Sequence, residues 1–200
     1  MSKRRKLPVQ ISSGFCLLAA WFGAANGWKT LGMVLGAALL HEMGHLIALR
    51  LLGGRVSAVR IGALGAVMEM DSGKLSYTRE LLVVLAGPGM NLLCAGLGLW
   101  LGNGKWLTAI GAHLTLGAFN LLPVRPLDGG RALHLLACWL SGPVAGERIC
   151  RVFGTVTGAA LAGFLCVCMW CSGGSLWLLP AAAAAAGLSL RERCGKTTFL

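Results

Sequence analysis

Two hundred residues suffice for one domain, but not for an ordinary soluble one. Hydrophobic residues make up 56% and charged residues only 12%, against about 25% charged in a typical soluble domain. The net charge of +11 sits in the gaps between apolar runs, with no basic stripe interleaved with aromatics, which argues against a nucleic-acid partner.

The chain begins with MSKRRK and then an apolar run to Trp28. That pattern is shared with signal peptides, and a cleavage after Ala25 is conceivable, but the topology below needs the segment as an uncleaved first helix. Hydropathy marks six spans, at about 11–27, 30–52, 80–101, 106–122, 152–171 and 175–190. A further helical stretch at 129–140 follows the fourth. Residues 53–79 are too polar and glycine-rich for a span. Val56, Ala58 and Arg60, then Ala66, Val67 and Met68, read as two short strands around IGALG. The expected fold class is an all-α polytopic membrane protein of about six transmembrane helices, with a short re-entrant β-hairpin between spans two and three.

Lysine and arginine placement orients these spans. With the N-terminus in the cytoplasm, 16 of the 18 basic residues fall in cytoplasmic segments, and only Lys29 and Lys105 do not. Both termini are then cytoplasmic. Of the eight cysteines, most lie inside apolar runs and read as small packing residues, not as a disulfide framework.

Within the second span, ALLHEMGHLIAL (38–49) places three ionisable groups in hydrocarbon. Such groups are expensive there and functional by default. HEMGH fits H-E-x-x-H. His41 and His45 stand one helical turn apart on one face and can grip one metal ion. Glu42 lies about 100° round the helix, within reach of a water on that metal, as a general base.

Zinc catalysis needs a third protein ligand and an open fourth position. Glu69, Glu80, His113 and Asp128 are the candidates. Both glutamates fall in or beside the cytoplasmic loop. Asp128 is preferred, although an Asp before GGRALHLL also reads as a helix N-cap. Pro123 and Pro126 break the preceding helix, and a break at membrane depth is tolerated only within protein or beside a water-filled cavity. Span four runs inward, so its end meets the cytoplasmic half of span two. His113 and His134 are left outside the ligand set; His134, six residues past Asp128, is read as a locally hydrogen-bonded group, with a supporting or gating role at the site as the alternative.

HEMGH, AGPGMN (86–91) and NLLPVRPLDGG (120–130) occur in that order, and together they resemble the site-2 protease family of intramembrane metalloproteases. The compact layout is most similar to the bacterial sporulation branch, which cleaves a membrane-tethered sigma-factor precursor. The resemblance implies one Zn²⁺ per chain, with His41, His45 and Asp128 as ligands and Glu42 as general base. It implies a substrate- or oxyanion-binding role for Asn120, and close helix packing at Pro88 and Asn91. The 60–66 loop, with Gly62 and Gly65, corresponds to a re-entrant hairpin whose strand edge pairs with unwound substrate. Residues 1–200 are expected to form a single integral membrane protease domain with its catalytic core at about 30–140, in a bacterial or forespore-surrounding membrane. The implied partners are the lipid bilayer, a membrane-tethered protein substrate and a membrane-protein regulator. The nucleotide-sensing CBS domain of the sporulation enzymes has no counterpart in these residues, so ATP-linked regulation in cis is not expected.

Two rival functions use the same residues. A metal transporter would need a polar path through several spans, and the outer halves of these spans are apolar. A catalytically silent scaffold would not need Glu42.

Overall fold

The computed structural model describes residues 9–62, 65–71, 75–102, 106–171, 186–187 and 189–190. Contacts divide the chain into two compact units, Met1–Ala118 and Phe119–Leu200.

In the first unit, Ser12 caps α1 (Ser13–Asn26) by accepting from the Phe15 N–H. Gly27, at φ 88°, ends α1 and starts α2 (Trp28–Leu51). This is a backbone conformation that glycine adopts without steric cost. Three strands accompany these helices. β1 (Val9–Ile11) pairs in parallel with β2 (Arg55–Gly62), which pairs antiparallel with β3 (Gly65–Asp71). The strands read at Val56–Arg60 and Ala66–Met68 are thus longer than expected, with an irregularity between Val56 and Ala58. β1 was not anticipated, because its three residues merge into the first apolar run. α3 (Tyr77–Trp100) and α4 (Leu107–Asn120) follow.

α2 and α3 run antiparallel, and glycines bring them together. A Cβ at Gly44 would stand 2.5 Å from the Ala86 carbonyl oxygen and 2.9 Å from the Met90 Cβ. Around this contact Ala37, Leu49, Val83, Val84 and Ala95 are buried. α4 approaches α3 in the same manner, where a Cβ at Gly117 would lie 3.3 Å from that of Asn91.

The second unit holds the end of α4, a turn-rich segment and α5 (Asp128–Cys171). The Leu127 carbonyl accepts from the Arg131 N–H at 3.1 Å, so Asp128 is the first helical residue and not the N-cap that its sequence neighbourhood suggests. Its charge still suits the positive end of the helix dipole. Gly129 and Gly130 leave room for the preceding segment to fold back. A Cβ on Gly129 would strike the Leu121 carbonyl, and one on Gly130 would stand 2.7 Å from the Arg125 nitrogen. α5 breaks at Gly142 (φ 80°, ψ 165°), with Pro143 beginning the second stretch. Residues 141–151, read from hydropathy as a gap, are therefore helical apart from that break.

Arg125 is 8% exposed. It donates to both carboxylate oxygens of Glu147, at 3.1 and 2.7 Å. Its Nη2 also donates to His134 Nδ1 at 3.2 Å. Bidentate pairing of this kind offsets the cost of burying a cation.

Among the described residues, three helices are long and apolar enough to cross a membrane: Trp28–Leu51, Tyr77–Trp100 and Asp128–Cys171. Large apolar side chains on them stay exposed, among them Leu93, Trp100, Phe153 and Phe164, as a lipid-facing surface requires. Of the six expected spans, those at 30–52, 80–101 and 152–171 fall on these helices. α1 and α4 each have 14 residues, about 21 Å of helix against a hydrocarbon core of about 30 Å. Most of the segment expected at 175–190 lies outside the described residues.

Gly44→Ala should cost about 1–3 kcal/mol by overpacking the α2–α3 contact. Gly36→Ala, at a position with open space, should stay within about 0.5 kcal/mol of wild type. Denaturation of both variants in detergent checks the pair.

Candidate metal centre

His41, Glu42 and His45 occupy the C-terminal half of α2, both histidines buried and Glu42 half-buried. The imidazole rings stand nearly perpendicular, at 85° with centroids 4.8 Å apart. Their Nε2 atoms face each other at 3.2 Å. Two imidazole nitrogens bound at about 2.0–2.1 Å to one tetrahedral ion would be about 3.3–3.4 Å apart, so the pair is spaced for such an ion.

α3 orients the rings. His45 Nδ1 donates to the Val83 carbonyl at 2.8 Å. A carbonyl can only accept, so the proton sits on Nδ1 and the lone pair on Nε2. This is the tautomer that binds metal, fixed by a backbone group. The donor set therefore fits a tetrahedral metal ion. The ring lies flat over Gly87, where a Cβ would collide with its Nε2 and stand 2.5 Å from its Cε1. His41 Nδ1 faces the side-chain amide of Asn91 at 3.2 Å. The same amide faces His113 Nδ1 at 3.1 Å.

Sequence reasoning read Asn91 as a packing residue and left His113 outside the ligand set. Asn91 is fully buried and bonded to a member of the histidine pair instead. The signal in the sequence was a buried-span asparagine, which needs a partner in hydrocarbon. Gly62 and Gly65 are paired at the closed end of the β2–β3 hairpin. Glu80 lies in the first turn of α3, and Glu69 in β3. Asn120, the last residue of α4, and Asp128, the first of α5, belong to the second unit.

Residues 29–111 match the profile of Peptidase family M50. That match covers somewhat under half of the chain. The M50 match spans α2, the hairpin and α3, so it contains His41, Glu42, His45 and Asn91. A putative zinc metalloprotease, Rip3, of Mycobacterium tuberculosis is 29% identical over 135 residues, covering 60% of this chain and 33% of the relative. Stage IV sporulation protein FB of Bacillus subtilis is 30% identical over 137 residues, covering 61% and 45%. The chain thus spans between a third and somewhat under half of the length of these curated relatives. A site-2 protease from Methanocaldococcus jannaschii has a similar fold, with a TM-score of 0.67 at 22% identity, over 96% of this chain and 93% of that one. With its apolar helices and this similarity, the chain is an integral membrane protein.

Gly87→Ala should push the His45 ring off its seat and lower bound metal per chain by at least about tenfold at limiting metal, an effect of the size seen when a ligand's support is lost. Gly89→Ala, where a Cβ meets nothing within 4 Å, should bind like wild type. Metal analysis of the purified variants after dialysis compares the two.

Proposed function

We propose that this chain is an intramembrane zinc endopeptidase that hydrolyses peptide bonds of membrane-tethered proteins. The observation that carries the reading is the histidine pair, with Nε2 atoms 3.2 Å apart and the His45 lone pair fixed toward the partner ring by the Val83 carbonyl, inside an apolar helix pair. The M50 match and the zinc metalloproteases among the relatives support it.

His41 and His45 hold one zinc ion per chain, and Asp128, from the PLDGG turn, supplies the third ligand. The bound ion supplies Lewis acidity, polarising a carbonyl and making water acidic near neutral pH. Glu42 takes a proton from the attacking water and passes it to the leaving amine. Asn120 donates to the substrate carbonyl as negative charge develops on its oxygen. The hairpin closed by Gly62 and Gly65 is re-entrant and takes up the unwound substrate by backbone pairing.

In this reading the whole chain is one protease domain with its core at about 30–140. α1, α4 and the 175–190 segment complete six spans, and the basic residues put both termini and the site toward the cytoplasm. The membrane is that of a bacterial cell. A tethered sigma-factor precursor is the substrate favoured by the similarity to the sporulation protein, with a membrane protein as regulator.

The test is bound zinc per chain and cleavage of tethered transmembrane reporters, read on the same preparations. Glu42→Gln should keep zinc near one per chain and lose cleavage by about 10²–10⁴-fold. Asp128→Ala should lose most of the zinc. Zinc bound by wild type with no cleavage of any reporter would overturn the protease reading in favour of a metal-handling or scaffold role, cleavage surviving in Glu42→Gln would remove Glu42 as the base, and full zinc in Asp128→Ala would remove that residue from the ligand set.

A further inference from the structure

We infer that Asn91 and His113 are positioning residues for the metal centre: the Asn91 side-chain oxygen accepts the Nδ1 proton of His41, and its amide nitrogen donates to Nδ1 of His113. The inference rests on the metal reading above and deepens it.

Neutral imidazole carries one ring proton. If His41 offers Nε2 to a metal, as its facing of His45 Nε2 requires, its proton must be on Nδ1. That N–H then needs an acceptor. The atom in front of it, 3.2 Å away, is one end of the Asn91 carboxamide. The oxygen and nitrogen of a carboxamide are nearly the same size and shape, and which one faces a neighbour is set by the hydrogen-bond network. With Nδ2 toward His41 and Oδ1 toward His113, the amide donates to His41 and accepts from His113. That arrangement would put the His41 proton on Nε2, where it blocks ligation. Turning the amide by half a rotation keeps both contacts and reverses both directions. His41 then donates to Oδ1, and Nδ2 donates to His113 Nδ1, which must be the lone-pair nitrogen of a ring protonated at Nε2.

Each component suits this role. Asn91 is 0% exposed, so no water competes for its amide, and an unmade bond there would cost about 1–3 kcal/mol. Gly117 admits α4 close enough for His113 to reach it, with the Asn91 Cβ 3.3 Å from where its own Cβ would stand. An asparagine needed only to fill space between helices would not need histidines at both ends. The two ligand histidines thus receive their orientation differently, His45 from a main-chain carbonyl and His41 from a side-chain amide whose other end is held by His113.

The test separates an acceptor from a packing residue. Asn91→Asp keeps shape and can only accept, so it still takes the His41 Nδ1 proton. Asn91→Leu keeps bulk and loses the acceptor. Affinity is read by competition of a chromogenic chelator for Co²⁺, alongside the visible spectrum of the bound Co²⁺, on full-length protein in detergent, with thermal unfolding showing that each variant is folded. Asn91→Leu should weaken Co²⁺ by about 10–100-fold. Asn91→Asp should bind within about threefold of wild type or tighter, with the wild-type spectrum. His113→Phe, which takes away the acceptor for the Asn91 Nδ2 and so holds the amide less firmly, should fall between. If Asn91→Leu binds like wild type, or Asn91→Asp is the weaker of the two, the acceptor role is overturned and Asn91 is a packing residue. If wild type and His41→Ala bind Co²⁺ equally, the metal reading itself fails, independently of Asn91.

Discussion

The close approach of α2 and α3 sets the geometry of the histidine pair. Gly44 meets the Ala86 backbone, and Gly87 gives its whole face to the His45 ring. With side chains at either position the helices would stand further apart, and His45 could not reach the Val83 carbonyl. The glycines therefore act through the hydrogen bond they permit. A membrane interior offers no water to substitute for that bond, so a buried imidazole without its acceptor would be a liability there.

The second unit meets the same constraint with charge. Arg125, His134 and Glu147 come from a turn and from both stretches of α5, and each polar face meets a complementary one. Gly129 and Gly130 let the turn lie against the start of α5, next to the arginine's own backbone. The DGG run thus has a packing explanation that holds whatever Asp128 binds.

Local features of this architecture were legible in the sequence, and features that join distant segments were not. His41 and His45 at one-turn spacing in an apolar run identify themselves, because helix geometry alone puts them on one face. The two strands flanking IGALG follow from alternation and glycine. The bond from His41 to Asn91 crosses 50 positions, and nothing in the pattern of either helix gives the register between them. The 141–151 stretch was missed for a related reason. Glu147, Arg148 and Arg151 lower its hydropathy, while the partner that neutralises Glu147 lies 22 positions away. Hydropathy counts apolar residues and not helical rise, so the segments it marks at 11–27 and 106–122 are longer than α1 and α4.

The order of the small sheet, β1-β2-β3, leaves β3 as one margin. β2 satisfies one side of that strand. Among the described residues no further strand pairs with the other. In the protease reading proposed above, such a margin would recognise main chain. A visiting polypeptide can dock along it only with its own amides and carbonyls released from helical bonding, and a proline facing the margin would interrupt the match. Selection at this edge would therefore be conformational more than chemical: two segments of different sequence but equal readiness to unwind would be handled alike, and a stiff helix of favourable sequence would be passed over.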